Sequence, residues 1–102
     1  MANFTKVAQQ SEVAPGTGKV IDAGGKKIAV FNVDGTFYAV DNTCKHRGGP
    51  IGEGDLSGSV VTCPWHGWKY DVCTGKNQEN LSIRLGCYKV KVEGDDVLVE
   101  KT

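Results

Sequence analysis

Short stretches of alternating apolar and polar residues occupy both ends of the chain and predict β-strands. Residues 88–93 read Tyr88-Lys89-Val90-Lys91-Val92-Glu93, which places apolar side chains on one face and charges on the other. The strand predicted at residues 27–33 is apolar on both faces, as expected of a central strand that is covered on both sides. Its apolar residues are Ile28 and Val30 on one face, and Ala29 and Phe31 on the other.

Turn signals separate the predicted strands and indicate antiparallel hairpins. Gly24-Gly25 and Asp34-Gly35 flank the central strand, and a turn at Gly94-Asp95-Asp96 precedes the last one. The predicted strands are residues 4–7 at an edge, 19–22, 27–33, 36–40, 88–93 and 97–100. Helical periodicity is absent from the sequence, so we expect an all-β protein.

The middle of the chain has a different character, because glycines recur and the strand-like runs become short. Only residues 59–62 and 68–72 predict strands there. We therefore predict one domain over residues 1–102, with an antiparallel β base built from about 1–40 and 81–102. A loop-rich insert of about 41–80, poor in core, interrupts it.

Charge and the N-terminal sequence narrow the classes of function. Twelve basic and twelve acidic residues balance, so no broad field favours nucleic acid or an anionic membrane surface. The first residues carry no basic segment leading into an apolar run, and the longest apolar stretch is far too short to span a bilayer. We expect a soluble, cytoplasmic protein.

Two short motifs in the insert concentrate the residues that bind metals. Cys44-Lys45-His46 and Cys63-Pro64-Trp65-His66 each offer one thiolate and one imidazole, and they contain both histidines of the chain. Such ligands suit zinc, iron or copper rather than a hard cation. A structural zinc is the simplest alternative, but zinc spacings commonly pair cysteine with cysteine and histidine with histidine. A mixed pair in each motif suits two metals with different ligands.

The arrangement Cys-x-His, sixteen residues, Cys-x-x-His resembles the signature of the Rieske [2Fe–2S] proteins. Gly48 follows the first pair and Gly67 follows the second. The resemblance implies one Rieske-type [2Fe–2S] cluster on a β-sandwich or barrel base with an inserted cluster-binding subdomain. It further implies that the inner iron is held by Cys44 and Cys63, and the outer iron by His46 and His66.

The residues that flank the motifs indicate where the reduction potential of this chain falls within the range of that class, about −150 to +300 mV. High-potential Rieske proteins resemble one another in an extra cysteine in each motif, but the matching positions here are Gly49 and Trp65. Those proteins also place a serine donor where this chain has Trp68, whereas their tyrosine donor has a counterpart in Tyr70. We therefore expect a lower potential. The alternative role for Tyr70 is packing beneath the cluster.

Several residues near the motifs have two plausible roles each. Cys73 and Cys87 could form a disulfide, but in a reducing cytosol we expect buried thiols. Trp65 and Pro50 could form an apolar rim around the histidines where a partner docks, or Trp65 could pack one loop on the other. The basic residues near the motifs could steer an acidic partner or could simply be solvated. They are Lys45, Arg47 and Lys69.

The resemblance implies a one-electron carrier that is not itself an enzyme. It would be a monomer that takes electrons from a flavin reductase and passes them to a terminal oxygenase. The chain is too short for the second domain of an oxygenase, and with both histidines assigned to the cluster no histidine and carboxylate set remains for a non-haem iron site. The first alternative is a small subunit resembling that of NADH-dependent nitrite reductases. The second is a zinc-stapled structural domain.

Overall fold

A computed structural model describes residues 4–23, 26–44, 49–65, 67–80 and 82–100. Within these ranges the chain forms ten β-strands and two short 3-10 turns, and no α-helix. The strands are β1 (Phe4–Gln9), β2 (Gly18–Ala23), β3 (Lys26–Val33), β4 (Thr36–Asp41), β5 (Asp55–Ser57), β6 (Val60–Thr62), β7 (Lys69–Asp71), β8 (Cys87–Tyr88), β9 (Val90–Glu93) and β10 (Asp96–Glu100). The 3-10 turns are Gln10–Glu12 and Ile51–Glu53. The prediction of an all-β antiparallel fold is confirmed.

The strands form three antiparallel sheets. The terminal sheet has the order β1-β10-β9, the central sheet β2-β3-β4-β8, and the insert sheet β5-β6-β7. The predicted edge position of β1 is confirmed, since among the described strands β1 pairs with β10 alone. Strand β5 was not predicted because Asp55-Leu56-Ser57 is too short to show a period.

The central sheet lies in the middle of the molecule, as the two-sided apolar pattern of β3 predicted. Ile28 and Val30 pack in one buried cluster with Val97 and Val99 of the terminal sheet. The residues of the opposite face belong to a second buried cluster, shared with the insert. Full burial of such side chains contributes about 1.5–3 kcal/mol each. Strand β3 therefore joins the two halves of the core.

The insert contributes much of this second cluster, so the prediction that it is poor in core was wrong. Side chains of the insert pack there against Ala29, Phe31 and Val40 of the central sheet. The fully buried ones are Ile51, Val61, Tyr70 and Val72, together with Leu85 just beyond the predicted boundary. They are scattered between turns, so their shared burial arises from tertiary packing and leaves no periodic signal.

The stretch predicted as one strand at residues 88–93 is two strands in different sheets. Tyr88 pairs with Ala39 in the central sheet, whereas Val90 pairs with Val99 in the terminal sheet. Between them, the carbonyl of Lys89 accepts a hydrogen bond from the Glu100 N–H at 2.9 Å. An apolar face of this kind also predicts burial, but Val92 is 44% exposed because β9 is an edge strand.

The predicted turns differ in outcome. Asp34-Gly35 forms the turn between β3 and β4, with Asp34 at a φ of 53°. The last turn is one residue shorter than predicted, since Asp96 already pairs with Glu93. Gly24-Gly25 lies outside the described residues. Among the helices of the described ranges, none is long and apolar enough to cross a membrane.

Candidate metal centre

Two six-residue loops carry the predicted ligands, and each is closed by the same type of hydrogen bond. In the first loop, residues 44–49, the Cys44 N–H donates to the Gly49 carbonyl at 3.0 Å. In the second loop, residues 63–68, the Cys63 N–H donates to the Trp68 carbonyl at 2.7 Å. The first loop follows β4, and the second connects β6 to β7. His46, His66 and Gly48 belong to these loops in sequence but lie outside the described residues.

The two motif cysteines are buried at the base of the loops. Cys44 is 3% exposed and Cys63 is 2% exposed, and both belong to the apolar cluster that joins the insert to the central sheet. Thiols in such surroundings are shielded from water. The donor set therefore fits a metal cluster held on its inner side by sulfur.

Tyr70 lies beneath the first loop, with its hydroxyl oxygen 3.3 Å from the Cys44 Sγ. The side chain is fully buried, and β7 positions it by pairing Tyr70 with Val61. When Cys44 is a thiolate, the phenol is the donor because the ionised sulfur has no proton to give. The structure thus brings the predicted tyrosine to one of the two predicted cysteine ligands.

The second loop turns sharply at Gly67. This residue has a φ of +75°, in the left-handed region that glycine adopts without steric strain, and its N–H donates to the Cys63 carbonyl at 3.0 Å. Trp68 is half-buried and packs against the cluster that contains both cysteines. The side chain of Trp68 therefore anchors the end of the loop to the core, and its carbonyl closes the loop.

The rim of the centre is only partly described. Trp65 is 58% exposed, Pro50 is half-buried and Lys69 is exposed. Lys45 and Arg47 lie outside the described residues. The structure does not test whether these residues bind or steer a partner, so both roles stay predictions.

Asn42 is a positioning residue that the sequence analysis missed. It lies just before the first loop and is 6% exposed. Its carbonyl accepts a hydrogen bond from the Ile51 N–H at 2.8 Å, and its Oδ1 accepts one from the Gly52 N–H at 2.7 Å. Its own N–H donates to the Lys27 carbonyl at 3.3 Å. One asparagine thus ties both ends of the first loop to β3. The sequence signal that could have indicated this role was a polar residue between the predicted strand 36–40 and the first metal-binding motif.

Replacing Asn42 by alanine should lower stability and loosen the first loop. The change leaves the buried Gly52 N–H without its acceptor, which costs about 1–3 kcal/mol. We expect the melting temperature to fall by at least about 4–8 °C. We also expect faster release, well below that temperature, of the metal that the motif predicts. Calorimetry and chelator-driven metal release measure the two effects.

Asn32 provides a matched control for this prediction. It is also a buried asparagine, 5% exposed, and it holds a turn of the base by two side-chain hydrogen bonds. Its Oδ1 accepts from the Gly35 N–H at 2.7 Å, and its Nδ2 donates to the Val13 carbonyl at 2.8 Å. Asn32→Ala should lower the melting temperature without accelerating metal release below it. Equal release from both variants would contradict a local role for Asn42.

Cys73 and Cys87 are unpaired and exposed, so the prediction of buried thiols was wrong. Cys73 lies in the turn after β7, and Cys87 lies in β8 at the edge of the central sheet. Partial burial raises the pKa of the Cys87 thiol, although the nearby Arg84 acts in the opposite direction. A hydrogen bond with Cys73 raises the pKa of the Tyr38 hydroxyl.

Comparison with known proteins agrees with this geometry. The Rieske [2Fe-2S] domain family matches residues 3–99. The biphenyl 2,3-dioxygenase ferredoxin component of Rhodococcus jostii is 39% identical over 98 residues, covering 95% of this chain and 92% of that protein.

Solved structures show the same similarity. One matching chain comes from a complex of reduced oxygenase and oxidized ferredoxin in carbazole 1,9a-dioxygenase. It is 35% identical, with a TM-score of 0.87, and the match covers 95% of this chain and 92% of that one. A nitrite reductase small subunit from Mycobacterium tuberculosis has a TM-score of 0.90 over 100% of this chain and 97% of that one. Its identity is only 19%, so it shares the fold alone. With its two loops and buried thiols, this chain belongs to the Rieske [2Fe–2S] family, and its cofactor is a Rieske-type [2Fe–2S] cluster.

Proposed function

We propose that this protein is a one-electron carrier that accepts electrons from a reductase and passes them to a terminal oxygenase. The observation that carries the proposal is the pair of buried thiols, Cys44 and Cys63, at the base of two closed loops. The biphenyl 2,3-dioxygenase relative, which this chain matches over almost its full length, is a ferredoxin component rather than a catalytic subunit. When bound, the cluster supplies one-electron oxidation and reduction.

The proposed ligands are Cys44 and Cys63 on the inner iron, and His46 and His66 on the outer iron. Burial of both cysteines in the cluster of Tyr70 supports the inner assignment. The histidines follow their cysteines by two and three residues, within the closed loops. Two neutral imidazoles in place of thiolates remove negative charge from the centre, which favours uptake of an electron.

We further propose that residues 1–102 are a single domain, with base strands in about 1–40 and 81–102 and the cluster-binding insert in about 41–80. The core that β3 shares with the insert supports folding as one unit, because neither part buries its apolar face alone. We propose a soluble, cytoplasmic monomer. The balance of twelve basic and twelve acidic residues supports diffusion between partners rather than attachment to a charged surface.

Reconstituted electron transfer tests the function. The holoprotein, an NADH-dependent flavin reductase and an aromatic-ring dioxygenase are combined, and NADH oxidation is compared with hydroxylated product. We expect that product forms only when this protein is present. We also expect that the protein is inactive once its iron has been removed. The oxidised and reduced absorption spectra should interconvert on mixing with each partner.

Two outcomes would contradict the proposal. A colourless protein as purified, containing one zinc and no iron, would favour the structural zinc site. A brown protein that co-purifies with a large sirohaem protein, and that no flavin reductase reduces, would favour a reductase subunit. Size-exclusion chromatography with metal analysis distinguishes these outcomes from a free carrier.

A further inference from the structure

We propose that Trp65 is a positioning residue that locks the two cluster loops together by packing its indole on Gly49. The inference rests on the proposed function, since it concerns the loops that are assigned to the cluster. Trp65 belongs to the second loop and Gly49 ends the first, sixteen residues earlier in the chain. The hydrogen bonds that close the loops each act within one loop. The contact between Trp65 and Gly49 therefore joins two loops that these bonds leave separate.

The close approach at Gly49 is the main observation. A Cβ atom at this position would lie 2.6 Å from the Cys63 Sγ, and 3.2 and 3.3 Å from two carbon atoms of the Trp65 indole. The first distance is shorter than any ordinary contact of a side-chain carbon. A proposed ligand sulfur and the indole therefore occupy the space where a side chain at this position would lie, and only glycine leaves room for both.

The position of this contact gives it a consequence for the cluster. The first loop is tied to β3 by Asn42, whereas the second connects the paired strands β6 and β7. The proposed ligands come from both loops, so movement of one loop relative to the other would alter the spacing between ligands. An indole resting on Gly49 resists that movement and covers the backbone next to the Cys63 sulfur.

The exposure of Trp65 shows that packing occupies only part of the ring. At 58% exposed, much of the indole faces solvent, where a redox partner could also contact it. Docking alone predicts that removal of the ring weakens partner binding and leaves the cluster unchanged. Loop locking predicts a change in the isolated holoprotein, before any partner is added.

The test compares Trp65→Ala and Trp65→Phe with Val92→Ala in the isolated holoprotein. Val92 is the matched control, because it is the other large apolar side chain that the described ranges leave exposed, and it lies on β9 of the base. The rate of cluster loss to excess chelator is followed by visible absorption. We expect about a tenfold increase for Trp65→Ala, a return towards the wild-type rate for Trp65→Phe, and no change for Val92→Ala.

The reduced-state EPR spectrum provides a readout that a general loss of stability would not move. We expect shifted or broadened g-values in Trp65→Ala and wild-type values in Trp65→Phe. The inference would be overturned if Trp65→Ala kept the wild-type cluster lifetime and spectrum but raised the apparent KM of the reductase for this protein. That result would leave the electron-carrier function intact. If the proposed electron-carrier function were wrong, the result would be different: the wild-type protein itself would contain no iron.

A second variant, Gly49→Ala, tests the same contact from the first loop, and an unchanged rate of cluster loss in this variant alone would overturn the inference. Gly49→Ala places a methyl group between the sulfur and the ring, so it should also accelerate cluster loss. If both residues act through one contact, the double variant should lose the cluster more slowly than the product of the two single effects predicts. Independent effects that multiply fully would overturn the inference.

Discussion

Serine in place of Cys44 or Cys63 will yield a colourless protein with no iron–sulfur cluster. Both thiols are buried, at 3% and 2% exposure, so no solvent ligand can easily replace either sulfur. A serine hydroxyl is a hard, weakly acidic donor, and it binds iron of this kind far less well than a thiolate. Iron and acid-labile sulfide per chain should fall close to zero. The reduced-state EPR signal should disappear.

The other two cysteines are matched controls for this prediction. Cys73 and Cys87 are exposed and unpaired, so Cys73→Ser and Cys87→Ser should retain the iron content and spectrum of the unchanged protein. Alanine at His46 or His66 should abolish the native cluster in the same way as the loss of a motif cysteine. Full iron content in either Cys44→Ser or Cys63→Ser would contradict the proposed ligands.

Phenylalanine in place of Tyr70 will lower the reduction potential. The Tyr70 hydroxyl lies 3.3 Å from the Cys44 Sγ inside the core, where a hydrogen bond to a charged group is strong. An added electron increases the negative charge on the ligand sulfur, so the donor stabilises the reduced state more than the oxidised state. If this difference is about 1.4 kcal/mol, its loss shifts a one-electron potential by about −59 mV. Spectroelectrochemical titration measures the shift.

Tyr38 offers a matched control, since its hydroxyl interacts with the side chain of Cys73, a thiol that is not among the proposed ligands. Tyr38→Phe therefore removes a similar contact between a phenol and a sulfur without changing the potential. Phenylalanine preserves the ring of Tyr70, so the loss of stability should be limited to about 1 kcal/mol. An unchanged potential in Tyr70→Phe would show that this residue only packs beneath the loop.

The ligand chemistry and the hairpins were accessible from sequence because both are local. Cysteine and histidine at fixed offsets determine which atoms a single loop can present, whatever surrounds it. The two-sided pattern of β3 likewise identified a strand covered on both faces, and Asp34-Gly35 located its turn. In each case the signal lies within a few residues of the feature that it predicts.

Burial of the insert and the surroundings of the cysteines depended on distant residues. The alternation at residues 88–93 could not show that the chain changes sheets at Lys89, because two short strands in succession have the same pattern as one long strand. Nor could composition show that Cys73 and Cys87 would be exposed, since exposure depends on which elements cover a turn or a sheet edge.

The amino-acid sequence alone determined the available metal-binding residue types, the all-β fold and the pairing of the main hairpins, because these follow from residue types and short spacings, and its resemblance to the Rieske family indicated the type of centre. Only the tertiary structure decided what supports the centre. It placed Tyr70 beside Cys44, tied the first loop through Asn42, and brought Gly49 against Trp65. These contacts join segments that are far apart in the chain, and their geometry exists only after the central sheet and the insert have packed into one core.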